Sequence, residues 1–229
     1  MVPSLVPGEE AAELGRNCVF GRRPASQPLD CSYFGLVYEP GIHGESLFAE
    51  FSDLHRNVLA VKLDGTTKED YVWGMRVGFI TFAWKGVTDA QLKAIAAKAA
   101  GDVRSSISNA SSIGQHMALA AYRDPGYNRQ KRAKYMVLKK RYALIRKILA
   151  KHPEYAARFE VMPFNSGYFM CVRPKGVDAE AVRRRLIEKY STGTIVLSGL
   201  IRLAFSTTPS AKLPKLFQNV ADAVADLTS

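Results

Sequence analysis

From Leu29 onward the apolar positions of this chain switch between a spacing of two and a spacing of three to four, and each switch marks a change of predicted element. The stretch "LDCSYFGLVY" begins as a strand. "ESLFAEFSDL" has helical period, and "NVLAVKL" and "MRVGFITFAW" are β-rich runs. Strands alternating with helices imply a parallel or mixed α/β sheet. Residues 1–28 differ: four prolines, three glycines and no sustained period predict a mostly irregular segment, with one helical turn near Glu9 to Leu14.

A helical stretch follows the second β-rich run. "TDAQLKAIAAKAAGDVRSS" opens on a Thr-Asp cap signal, "SSIGQHMALAAY" continues, and the turn Asp124-Pro125-Gly126 leads into a long basic helix from about Asn128 to Leu149. The pattern then returns to α/β order. Strands are predicted at "RFEVMPF", "GYFMCVRP", "TGTIVLSG" and "IRLAFST", and helices at "DAEAVRRRLIEKY" and "AKLPKLFQNVADAVADL". The expected organisation is an irregular segment 1–28, a partial large domain 29–127, and a long linking helix with a smaller α/β domain over 128–229. No internal repeat interrupts this reading.

Composition narrows the class only slightly. In 229 residues, 47% hydrophobic and 23% charged content is ordinary for a globular chain. A formal charge of +11 suits nucleic acid, an acidic membrane surface or an anionic small molecule equally. Cys18, Cys31 and Cys171 are odd in number and far apart, and His43, His55, His116 and His152 are scattered, so neither a disulfide framework nor a metal site is expected. With no apolar run near the roughly 20 residues of a membrane span and no secretory signal order, the expectation is a soluble cytoplasmic protein.

The candidate chemistry centres on "DGTTKEDYVWGMRVG", Asp64 to Gly78. Lys68 follows a Gly-Thr-Thr turn, and Arg76 runs directly into an apolar stretch; cations in such company need anionic partners. A lysine amine able to form a Schiff base, hydroxyls at Thr66 and Thr67, and an arginine able to grip a phosphate bidentately could together hold a phosphorylated carbonyl compound. Two surface cations at the ends of a loop is the plainer alternative.

"GTTKEDYVWGMRVG" resembles the lysine-attachment motif of the class I/II aminotransferases, pyridoxal-phosphate-dependent enzymes of fold type I. Thr67, Lys68, Val72, Gly74, Arg76, Val77 and Gly78 match it; Gly65 falls at a motif position but replaces a serine that many members use on the phosphate, and Tyr71 stands where the family usually has a small or aliphatic residue. "LDCSYFGLVYE" resembles the family segment whose aspartate pairs with the pyridine nitrogen and whose tyrosine meets the cofactor's phenolic oxygen, which implies those roles for Asp30 and Tyr33. "LIRLAFST" resembles the strand whose arginine receives the substrate α-carboxylate, implying Arg202, and "FNSGYFM" resembles the strand before it. "RSSISN" resembles a segment in which an arginine binds a side-chain carboxylate of a dicarboxylic substrate, implying Arg104.

The resemblance covers about Leu29 to the C-terminus. It implies the C-terminal part of a fold type I transferase, without the N-terminal half in which the family holds a phosphate-binding helix N-terminus and a ring-stacking aromatic residue. It further implies pyridoxal 5'-phosphate as cofactor on Lys68, no metal, transamination between an amino acid and a 2-oxo acid in amino acid metabolism, and a homodimer. A catalytically inactive remnant serving as a binding or assembly module is the alternative.

The basic helix is the rival feature. Nine Lys and Arg lie between Arg129 and Lys147 with tyrosines interleaved, a pattern that could track a phosphate backbone. However, Tyr135, Leu138, Tyr142, Ile145 and Leu149 form one apolar stripe, which puts the cations on a solvated face. Neither nucleic acid nor membrane is therefore expected as a partner.

Overall fold

The computed structural model describes residues 25–30, 35–41 and 46–228. The expectations for Tyr33, Cys18, Cys31, His43 and the helical turn near Glu9 lie outside these residues. The chain divides into two compact units between Arg132 and Ala133.

The first unit is built on a three-stranded mixed sheet in which β2 (Val58–Gly65) lies between β1 (Ala25–Asp30) and β3 (Gly78–Ala83). Strand β1 runs parallel to β2 and β3 runs antiparallel to it, with Asp30 opposite Leu63 and Gly65 opposite Gly78. Residues 25–28, expected to be irregular, are thus strand. Their Pro28 is tolerated because β1 pairs only with β2 among the described strands, and an edge strand has one row of amides that need no sheet partner. Val58 and Ala60 are buried on one face of β2, where Phe51 of α1 (Phe48–Leu54) packs with Leu47 and Phe48.

Strand β2 passes directly into α2 (Thr66–Glu69), a single helical turn. Beyond β3 come α3 (Asp89–Ser106), α4 (Ser112–Arg123) and the start of α5 (Tyr127–Lys151). The Thr-Asp signal is a full capping box: Thr88 accepts from the Gln91 amide, and the Gln91 side chain accepts from the Thr88 amide. Ser111 caps α4 by accepting from Gly114.

The second unit carries a four-stranded antiparallel sheet in the order β4 (Phe159–Val161), β5 (Met170–Pro174), β7 (Leu200–Leu203), β6 (Ile195–Leu197). Helices α6 (Ala179–Tyr190) and α7 (Leu213–Thr228) complete it. Val172, Ile201, Phe205, Leu186, Leu213 and Phe217 are fully buried. On α7 the buried positions Leu213, Phe217, Val220, Ala221 and Val224 fall at helical spacing. Asn219, also buried, donates to the Tyr190 carbonyl and to Thr192, satisfying the end of α6 where Ser191 turns left-handed.

The stripe expected on α5 is largely in place. Leu138, Tyr142, Ile145 and Ile148 are buried, and Tyr135 and Leu149 sit half-buried at its margins. Among the described residues no helix is long and apolar enough to cross a membrane, and no cluster of His, Cys, Asp and Glu could hold a metal ion.

Candidate functional site

Topology brings the Lys68 segment to one edge of the first sheet. In parallel strands the carboxyl ends lie together, so Asp30 at the end of β1 and Gly65 at the end of β2 share an edge, as does Gly78 at the start of antiparallel β3. Lys68 follows β2 by three positions, and Arg76 precedes β3 by two. Ligands of open α/β sheets gather at such carboxyl ends.

The loop between β2 and β3 is closed by a clasp. The Thr66 amide and hydroxyl both donate to the Val77 carbonyl, each over 3.2 Å, and Thr66 is only 1% exposed. Because a threonine hydroxyl has one proton to give, this bond commits Thr66 to holding the loop and leaves Thr67 as the half-buried hydroxyl beside Lys68. Inside the clasp the Asp70 amide donates to Thr66 and the Met75 amide to Val72, each over 3.1 Å. Tyr71 and Arg76 occupy left-handed backbone at φ 62° and 53°, an uncommon conformation for bulky residues that the surrounding contacts must hold in place.

Those contacts come from α4 and α5. Asp70 accepts from the hydroxyl of Tyr122 over 2.7 Å, from the hydroxyl of Tyr127, and from the ammonium of Lys131 over 3.1 Å. The two rings meet edge to face at 5.4 Å between centroids, and Lys131 also donates to the Tyr127 hydroxyl over 3.2 Å. Burial, then the bond to Asp70, pushes the Tyr122 and Tyr127 hydroxyls above their ordinary titration range. Burial acts to lower the Lys131 ammonium, but its bonds to Tyr127 and Asp70 outweigh that and raise it. Gly114, near the start of α4, is the second mooring: a Cβ there would stand 2.8 Å from the Met75 carbonyl and 3.0 Å from a Val77 methyl. Only glycine lets the helix approach the Arg76 segment so closely.

Lys68 is half-buried and Arg76 is exposed, with no ion pair to Arg76 among the described residues. Beside them Glu69 accepts from the Gly65 amide over 3.5 Å, and burial followed by the nearby charge of Asp64 raises its carboxyl. An amine, a hydroxyl and a guanidinium on one sheet edge make a donor set suited to a ligand bearing both a carbonyl and a phosphate.

The remaining expected residues belong to other elements. Arg104 is exposed in the last turn of α3, where its guanidinium donates to Ser108. Arg202 belongs to the second unit, in β7 opposite Cys171 and Ile195. Its guanidinium carbon lies 4.3 Å from the centroid of Phe169, and among the described residues no carboxylate pairs with it. The stack supports the cation from one face and leaves the planar edge of donors for an anion. Burial raises the Cys171 thiol, an effect that the Arg202 charge partly offsets.

Sequence reasoning missed Asp70, Tyr122, Tyr127, Lys131 and Phe169. The i,i+4 spacing of Tyr127 and Lys131 was the single local signal among them. It missed as well Arg141 of α5, which donates to the Ser206 carbonyl while its Nε is buried without a partner among the described residues.

The profile of the family described as "Aminotransferase class I and II" matches residues 30–220. A search of curated proteins gave no match. Among solved structures, an aminotransferase from Anaerococcus prevotii superposes with a TM-score of 0.76 at 20% identity, covering 94% of this chain and 51% of its own. An aminotransferase from Mycobacterium tuberculosis gives 0.74 at 16% identity, covering 96% and 54%. The alpha-aminoadipate aminotransferase of Thermus thermophilus, solved with N-(5'-phosphopyridoxyl)-L-leucine, gives 0.71 at 17% identity, covering 96% and 55%. The chain therefore has the fold of these enzymes over about half their length.

Proposed function

Because the chain belongs to the class I and II aminotransferases, whose members use pyridoxal phosphate, we propose that it takes part in pyridoxal-phosphate-dependent transfer of an amino group between an amino acid and a 2-oxo acid. The observation that carries this reading is the shared sheet edge of Lys68, Thr67 and Arg76, with the backbone of Asp30 at the end of the neighbouring strand. The donor set fits: an amine for the aldehyde, and a hydroxyl and a guanidinium for the phosphate.

In this reading Lys68 holds the cofactor through Nζ, Arg76 and Thr67 hold its phosphate, and Asp30 and Tyr33 take the ring nitrogen and phenolic oxygen as the family resemblance implies. When bound, pyridoxal phosphate supplies the electron sink that stabilises negative charge at the substrate α-carbon. Lys68 Nζ, freed when an amino acid arrives, takes the α-proton as general base and returns a proton later in the cycle. Arg202 receives the α-carboxylate in bidentate fashion and so fixes how the α-carbon presents its hydrogen. Arg104 is the proposed contact for a second, side-chain carboxylate. Exposed Ile107, Ile113 and Met117 on the first unit favour association, and a homodimer is part of the proposal. The free Cys171 fits a reducing, cytoplasmic setting.

A non-catalytic binding or assembly module is the second reading, favoured by coverage of about half the length of the matched structures. One assay separates the two. The chain is incubated with pyridoxal phosphate, a panel of L-amino acids and 2-oxoglutarate, and the new 2-oxo acid is measured. Transamination requires turnover that Lys68→Ala abolishes, and Arg202→Ala should raise KM at least tenfold, since a buried carboxylate–arginine contact contributes about 1.5–3 kcal/mol. Turnover equal in wild type and Lys68→Ala, or none in either, supports the module.

A further inference from the structure

Asp70 stands two positions after Lys68, and its carboxylate, 11% exposed, gathers two phenol hydroxyls and one ammonium from α4 and α5. Three donors on one surface-proximal carboxylate are more than a helical turn of this size needs. The same residue ends α2, since the Asp70 amide closes the turn onto the Thr66 carbonyl, and the left-handed Tyr71 follows at once. On the opposite side of the loop, Gly114 places α4 against the carbonyl of Met75, next to the left-handed Arg76. The Lys68–Arg76 segment is thus pinned at both ends to the same helix.

We propose that Asp70 is a positioning residue for Lys68: with Tyr122, Tyr127 and Lys131 it forms a clamp that sets the amine-bearing turn at the sheet edge and holds the two left-handed residues in place. The clamp contacts no substrate. It acts by denying Lys68 the alternative backbone states that a turn of four residues otherwise samples. This inference rests on the proposed role of Lys68 as the cofactor lysine.

Two readouts on the full chain test it, one of them independent of cofactor. Hydrogen exchange over residues 66–77 is measured without ligand in the wild type, Asp70→Asn and Tyr122→Phe, with residues 133–229 as internal reference. Pyridoxal phosphate is then titrated against each variant and the Lys68 adduct quantified after borohydride. Asp70→Asn should speed exchange in 66–77 and weaken retention of pyridoxal phosphate by about tenfold each, with a smaller change in the same direction for Tyr122→Phe, the equivalent of losing one or two charge-assisted hydrogen bonds. Exchange in residues 133–229 should not change. Should Asp70→Asn disturb folding, Tyr122→Phe alone decides, since it removes one hydroxyl from a ring that is 42% exposed. Unchanged exchange in 66–77 overturns the clamp. Faster exchange with undiminished retention overturns its bearing on Lys68, and absence of any Lys68 adduct in the wild type overturns the cofactor reading and the inference with it, while leaving the exchange result to stand for the loop alone.

Discussion

The two units of this chain bury their apolar residues very differently. The second unit encloses three phenylalanines, Phe159, Phe205 and Phe217, together with Leu186, Ile201, Leu203 and Leu213, at 1% exposure or less. In the first unit, α3 buries no residue over its 18 positions, α4 buries only Gly114, and β3 leaves Phe79 and Ile80 exposed. The second unit has the core of an independently stable body. The helices of the first stand on caps, on the Asp70 clamp and on the Gly114 approach, which are local and directional rather than broad apolar contacts. The candidate lysine therefore sits in the less self-sufficient half, where a few specific bonds decide its placement.

Substitutions in each unit probe this contrast. The largest effect is expected from Phe217→Ala, which leaves a cavity in the second unit and should cost about 3–5 kcal/mol in denaturant unfolding followed on that unit. A cost under about 1 kcal/mol would show that its core is not what holds it. Next comes Gly114→Ala, whose methyl meets the Met75 carbonyl at 2.8 Å; displacement of α4 should cost about 1–3 kcal/mol and lower retention of pyridoxal phosphate by the Lys68 segment. Thr88→Ala, which removes the capping box of a helix with no buried face, should cost about 1 kcal/mol, read as faster amide exchange at the start of α3. In the same helix Gly101→Ala has open space for its methyl and should stabilise by about 0.5–1 kcal/mol, a gain of opposite sign that only a surface helix allows.

The smallest effect concerns pH. Glu180 on α6 is held down to about 2 by its bond to Arg183, with Arg184 adding to it. A carboxyl lowered from its ordinary 4.5 contributes stability that is full above that value and is lost as pH falls toward 2. Because the pair lies at the surface, half-buried and screened by solvent, Glu180→Gln should flatten the acid limb of the stability profile only slightly. A large change would mean that the pair is more enclosed than its geometry indicates.

Much of this was legible in the sequence because it is locally encoded. Thr88 and Ser111 announce their helices, Asp178 caps α6, and the alternation of "NVLAVKL" marks β2. The attachment motif pointed to the Lys68 segment, and the β2–β3 register accounts for its length. What was not legible depends on distant partners. Residues 25–28 look irregular until β2 supplies their hydrogen bonds. Thr66 reads as one of two equivalent hydroxyls until Val77, 11 positions away, claims it. Periodicity alone does not decide between Ile148 and Leu149 on α5, since both fall within the apolar arc, and the packing buries Ile148. The Asp70 clamp joins residues 52 to 61 positions apart, and nothing in the spacing of Tyr122, Tyr127 and Lys131 reveals their common partner.

One amine among many is set apart by this loop. Incubating the chain with pyridoxal phosphate, reducing with borohydride and mapping the modified peptides tests it directly. A single dominant adduct is expected at Lys68, lost in Lys68→Ala and weakened in Asp70→Asn. Label spread over the exposed lysines of α5, with Lys68 no more reactive than they are, would contradict it.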